Sequence, residues 1–189
     1  MKKITIIASL LALSATTFAQ TTWSVDKAHS RLGYSVSHMT ISEQEGNFKD
    51  YDVKITTTKD DFSDASFDVT INVGSINTEN EMRDKHLKSP DFFDAEKFTT
   101  ITFKSTSIKK VSGKQYKVTG DLTLHGVTKP VTLTAVYNGT VENPMSKKPV
   151  AGFTITGAIK RADFGFASAM PAAVLGETIS LRASGEFTK

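Results

Sequence analysis

The sequence predicts an all-β fold, a sandwich or a closed antiparallel barrel, on three observations. Strict apolar/polar alternation recurs about eight times after residue 30, as in strands with one dry and one wet side. Turn signals stand between these stretches: Ser112-Gly113, His125-Gly126, Asn138-Gly139, and Asn143-Pro144 through Pro149. Helix signals are confined to one short segment. A closed barrel turns its dry side inward, as a packed core or as the lining for a guest.

The first element is not a strand. Lys2 and Lys3 form a positive n-region, Ile4–Ala15 an apolar stretch, and Thr17-Phe18-Ala19 a cleavage site, so residues 1–19 read as a secretory signal peptide. The stretch is too short for a permanent membrane helix. Cleavage near Ala19 leaves residues 20–189 as one domain, periplasmic or otherwise exported, long enough to bury a core.

Eight strands follow. Arg31–Met39 puts Leu32, Tyr34, Val36 and His38 on one face, and Gly46–Thr57 carries Phe48, Tyr51, Val53 and Ile55, with a bulge at Asp50-Tyr51. Ala65–Val73 carries Phe67, Val69 and Ile71, and Thr99–Ser107 carries Ile101 and Phe103. Gln115–His125 places Tyr116, Val118, Gly120, Leu122 and Leu124 opposite Lys117, Thr119, Asp121, Thr123 and His125. Pro130–Tyr137 carries Val131, Leu133, Ala135 and Tyr137, and Val150–Lys160 carries Phe153, Ile155, Gly157 and Ile159. Thr178–Phe187 closes the series with Ile179, Leu181, Ala183, Gly185 and Phe187.

Two segments interrupt the pattern. Thr78-Glu79-Asn80-Glu81 reads as a capping box, with Thr78 as N-cap, and Met82, His86 and Leu87 form the stripe of a short helix that covers one barrel end. Ser89-Pro90 stops it, and Phe92 and Phe93 follow. The second segment, Ala162–Gly176, is long, apolar and glycine-bearing, which suits either a mouth lining or ordinary packing.

Composition narrows the function. Without Lys2 and Lys3, the 23 Lys and Arg become 21 against 20 Asp and Glu, which removes the main support for nucleic-acid binding. There are no cysteines, hence no disulfides and no thiolate chemistry. The four histidines, His29, His38, His86 and His125, have no zinc-ligand spacing, and Asp26-x-x-His29 needs partners that sequence does not reveal. No nucleophile elbow, P-loop or dinucleotide fingerprint is present, and no metal or cofactor is expected. Asp163 near Arg161 reads as a structural pair or a loop fastener. Small residues on or beside the dry face (Gly33, Gly120, Ala135, Gly157, Ala183 and Gly185) leave a hollow and a filled interior both open.

In order and spacing, several stretches together resemble the YceI-like family of exported, polyisoprenoid-binding proteins. They are Trp23-x-Val25-Asp26-x-x-His29-Ser30, Gly46-x-Phe48, Arg83-Asp84-x-His86-Leu87-Lys88-Ser89-x-Asp91-Phe92-Phe93-Asp94 and Ile101-x-Phe103-x-Ser105. Gly120-x-Leu122-x-Leu124-His125-Gly126-Val127-Thr128-Lys129 and Arg161-x-Asp163-Phe164-Gly165 complete the series. The resemblance implies an extended eight-stranded, lipocalin-like antiparallel barrel with one short helix between strands and an apolar mouth loop. It also implies a lumen that takes a long apolar chain, without a settled enzymatic activity. Thr99 where the family commonly has proline, Phe166 where methionine is usual, and a longer Ala169–Ala173 segment are departures, the last two at the expected mouth.

The resulting expectation is a periplasmic carrier or store for a polyisoprenoid, an isoprenoid quinone or a fatty-acid-like amphiphile. Its lumen consists of Leu32, Tyr34, Val36, Phe48, Phe67, Val69, Ile71, Phe103, Leu122, Leu124, Leu133, Phe153 and Ile155. Its mouth or lid consists of His86, Phe92, Arg161, Asp163, Phe164 and Phe166. A lipid-modifying enzyme using His29 or His86 is the first alternative, and a packed barrel acting as an interaction module the second. A transient membrane-surface contact, through Lys109-Lys110 or Lys147-Lys148, and a homodimer stay open.

Overall fold

The computed structural model describes residues 19–189; the signal-peptide reading lies, but for Ala19, outside the described residues. The strands are β1 (Thr21–His38), β2 (Ser42–Phe48), β3 (Tyr51–Thr57), β4 (Ser66–Asn72), β5 (Ile76–Asn77), β6 (Thr100–Ser112), β7 (Gln115–Leu124), β8 (Val127–Glu142), β9 (Pro149–Lys160) and β10 (Leu175–Thr188), with one α-helix among the described residues, α1 (Glu81–Leu87). Every pairing is antiparallel, and β10 returns to pair with β1 from Ser24↔Thr188 to His38↔Leu175. The β1 strand is long enough to serve two neighbours: Thr21–Ser24 pair with β3, and Leu32–His38 pair with β2. Thus β2 and β3 are halves of one strand broken at Lys49-Asp50, β5 is a two-residue addition to β2, and the closed ring has eight strands.

The alternation read from sequence is the alternation of burial. Tyr116, Val118, Leu122 and Leu124 are buried, while Lys117 and Asp121 between them are exposed. One end of the barrel is stoppered. Phe62, on the β3–β4 loop with φ of 58°, sits with its ring centroid 5.4 Å from Trp23, 4.9 Å from Tyr137 and 5.0 Å from Phe153. The Tyr116 hydroxyl donates to the Asp61 carbonyl and fixes that loop. Such tilted and edge-on aromatic contacts are worth ~0.5–1.5 kcal/mol each beyond area burial.

Several expectations need correction. The first strand begins ten residues earlier than Arg31. Asn138-Gly139 is not a turn: β8 runs through it with a bulge, and Gly139 takes φ of 138°. The helix is capped by Asn80, whose side chain accepts from the Arg83 amide, because Glu79 turns left-handed at φ of 61° and delays the helix start. Thr78 instead donates its hydroxyl to the Asp84 carboxylate, and of the anticipated stripe Met82 is 84% exposed while His86 and Leu87 face the barrel interior.

The small dry-face residues act in two ways. Ala183 and Gly185 line an interior cavity, whereas Gly120 and Gly157 lie beneath large side chains. A Cβ on Gly120 would fall 2.6 Å from the Phe103 ring and 2.5 Å from the Lys104 carbonyl oxygen; one on Gly157 would fall 2.4 Å from Leu133. These glycines let a cross-strand neighbour lean over the backbone and so fill space. Gly120→Ala should therefore lower stability by roughly 1–3 kcal/mol in urea unfolding. Wild-type stability for this variant would contradict the close approach.

Candidate functional site

Inside the ring, between the aromatic stopper and α1, lies a cavity of about 450 Å³, within the ~300–1,000 Å³ range typical of small-molecule sites. All thirteen residues anticipated for the lumen line it, together with Val131, Ile179, Leu181 and Phe187, among others. Burial distinguishes its parts. Ile55, Tyr116, Ala135 and Ala151 at the stoppered end are essentially inaccessible. Leu32, Tyr34, Val69, Leu133, Ile155 and Leu181 also point inward, yet are only partly buried and line the cavity. The core is therefore packed at one end and hollow toward the other.

The hollow end is framed by the β1–β2 hairpin, α1 with the segment after it, the His125-Gly126 turn and the loop before β10. His86, Phe92 and Phe166 line the cavity here, as anticipated, and Phe93, missed by the sequence reading, joins them. The Phe93 and Phe166 rings stand 4.6 Å apart, and His86 stacks edge-on against Phe92 at 4.9 Å. Arg161, Asp163 and Phe164 do not line the cavity. Phe164 is buried beneath the loop, Asp163 faces solvent, and Arg161 is 5% exposed. The Arg161 guanidinium donates to the carbonyls of Ala167, Met170, Leu175 and Gly176, so it fastens the mouth loop without pairing to Asp163.

Polar groups meet the cavity beside α1. Arg83 donates from Nε to Thr78 Oγ1, from Nη2 to the Thr78 carbonyl and from Nη1 to Gln44 Oε1, each at 2.8 Å. Burial, with the Asp84 charge nearby and Arg83 opposing, pushes the Tyr34 hydroxyl up to about 12, so it stays protonated. Tyr34, expected in the lumen, lines the cavity, and so does Arg83, which entered the sequence analysis only as the first residue of a family-like stretch. Its helical position one residue after Met82 was the available signal, masked by the assumption that Met82 faced inward.

The two histidines considered for catalysis are apart. His86 stands at the mouth with Nε2 3.9 Å from an Asp91 carboxylate oxygen. His29 lies exposed on a β1 excursion where residues 27–30 break register with β10, and its Nδ1 is 2.8 Å from an Asp26 carboxylate oxygen. That hydrogen bond raises the His29 pKa above its ordinary value and lowers that of Asp26, so the pair is charged between the two. Glu186 brings a third ligand atom within 4.8 Å, the partner that sequence could not supply, on open surface. Among the described residues neither histidine hydrogen-bonds to a hydroxyl nucleophile.

Comparison with known proteins matches the YceI-like domain over residues 23–187. A UPF0312 protein of Staphylococcus aureus (strain N315) is 38% identical over 172 residues, 89% of this chain and 98% of the relative. The solved YceI protein of Campylobacter jejuni aligns with a TM-score of 0.74 at 38% identity, over 87% of this chain and 96% of that one. A polyisoprenoid binding domain from Saccharophagus degradans, implicated in plant cell wall breakdown, aligns at a TM-score of 0.64 and 16% identity, over 88% and 97%, and shares the fold.

The fastening of the mouth loop is testable. Arg161→Ala leaves buried carbonyls without a donor and should cost ~2 kcal/mol or more of stability. Hydrogen exchange should rise selectively across residues 165–175, and unchanged protection there would contradict the fastening role.

Proposed function

The chain belongs to the YceI-like family, and on that premise we propose that it is an exported protein that carries or stores one long apolar-chain lipid in its lumen without turnover. The observation that carries this reading is the hollow half of the barrel, whose inward strand residues are aliphatic and aromatic, line the cavity and in several cases are only partly buried. An empty apolar hollow forfeits contacts on its lining, and a chain entering it gains ~0.8 kcal/mol for each methylene removed from water. A lipid of a few isoprene units therefore has ample driving force with no charged anchor deep in the barrel. The polyisoprenoid binding domain of the same fold supplies the precedent for the ligand class. An isoprenoid quinone or a fatty-acid-like amphiphile meets the same requirement.

Loading occurs at the mouth. Met39, Ile41 and Val174 are exposed there, and the Met39 amide donates to the Val174 carbonyl, joining the hairpin tip to the mouth loop. This apolar rim suits transient contact with a membrane surface. The lysine pairs considered from sequence lie at the other end of the barrel, where Lys110 is held by Asp61.

Displacement of a fluorescent polyene fatty acid from delipidated protein tests the reading. Prenols of increasing length should compete, with affinity rising per isoprene unit until the lumen is full. Leu133→Trp, which fills the lumen, should weaken binding at least tenfold and shorten the longest chain accepted, with the barrel's circular dichroism retained. Failure of every chain to displace the probe would overturn the proposal.

A further inference from the structure

Where the cavity meets α1, two hydrogen-bond donors face it without a protein partner to complete them. Arg83 has five N–H groups. Three are taken by Thr78 and Gln44, which leaves one on each terminal nitrogen. No ion pair of Arg83 occurs among the described residues: the neighbouring Asp84 carboxylate is turned to the Thr78 amide and hydroxyl. The second donor is the Tyr34 hydroxyl. It lies over Gly46, where a Cβ would fall 2.4 Å from it, and it hydrogen-bonds to no protein group among the described residues. Gln44 and Gly46 are two residues apart on β2, so the group that steadies Arg83 and the glycine beneath Tyr34 share one strand face.

We infer that Tyr34 and Arg83 anchor an anionic headgroup, a carboxylate or a phosphate, on the end of the bound chain. The inference rests on the lumen reading above. A half-buried guanidinium without a counter-ion is costly, and an anion at the mouth supplies both the missing charge and acceptors for two N–H groups. Arg83 offers donors only, and the Tyr34 hydroxyl adds a free O–H. A carboxylate or phosphate can accept from both and answers the guanidinium charge, whereas an alcohol can share a hydrogen bond with Tyr34 but brings no charge. Thr78 and Gln44 hold the guanidinium plane before the ligand arrives, so little ordering is needed on binding.

Matched pairs of ligands test this on the delipidated protein: oleate against oleyl alcohol, and geranylgeranyl phosphate against geranylgeraniol. The wild type should prefer the charged member at least tenfold in one or both pairs, and the pair showing the larger ratio identifies carboxylate or phosphate. Arg83→Gln should abolish the ratio. Tyr34→Phe, which removes a hydroxyl that no protein group uses, should reduce it threefold or more and serves if Arg83→Gln does not fold. Equal affinity for charged and neutral heads in the wild type would overturn the anchor and leave the lumen reading standing. A ratio that survives both substitutions would overturn it as well. If no chain of either kind binds, the lumen reading fails and the anchor with it.

Discussion

Closure of the sheet through β1 and β10 is the constraint from which the rest of the molecule follows. The pairing runs from Ser24↔Thr188 to His38↔Leu175, and it makes a ring of what would otherwise be a ladder with two open edges. Once the ring is closed, strand alternation has no freedom left: one parity must face the lumen and the other water. The long β1 strand makes closure possible because its two ends pair with the two halves of a broken neighbour, β3 below and β2 above. The helix α1 and the loop before β10 lie at the β2 end of the barrel.

A ring of eight strands is near the size at which side chains just fill the interior. Here the two ends resolve that balance differently. At one end Phe62 enters from a loop and meets Trp23, Tyr137 and Phe153, so aromatic volume completes the core. At the other, no side chain enters far enough, and aliphatic residues of the strands face a cavity. The packed half supplies stability and the hollow half supplies a site, so neither task compromises the other. Arg161 serves this division by tying the mouth loop through backbone carbonyls, which holds Phe166 over the opening.

The lumen was legible in the sequence because a period of two is a direct projection of the pleat, and inward residues such as Leu122 and Phe153 follow from it without knowledge of pairing. Glycine was less readable. Gly120 and Ala183 look alike on the dry face, but only three-dimensional register shows that Phe103 covers the first while the second borders the cavity. Asn138-Gly139 carries the same signature in a turn and in a bulge, and the continuing β8–β9 ladder decides for the bulge. The helix start moved because Glu79 adopts a left-handed backbone, which propensity does not announce, and with it the inward position passed from Met82 to Arg83. The role of Arg161 was unreadable for a different reason: its partners are main-chain carbonyls, which leave no side-chain pattern.

On the proposed function, the hollow end of this barrel is occupied by a chain lipid in its native setting. Native mass spectrometry of the protein, released gently from its own compartment without detergent, reads that occupancy. The predicted result is a species heavier than the polypeptide by the mass of a single long-chain lipid, which collisional activation releases. A population found only at the mass of the bare polypeptide, from cells grown under several conditions, would contradict it.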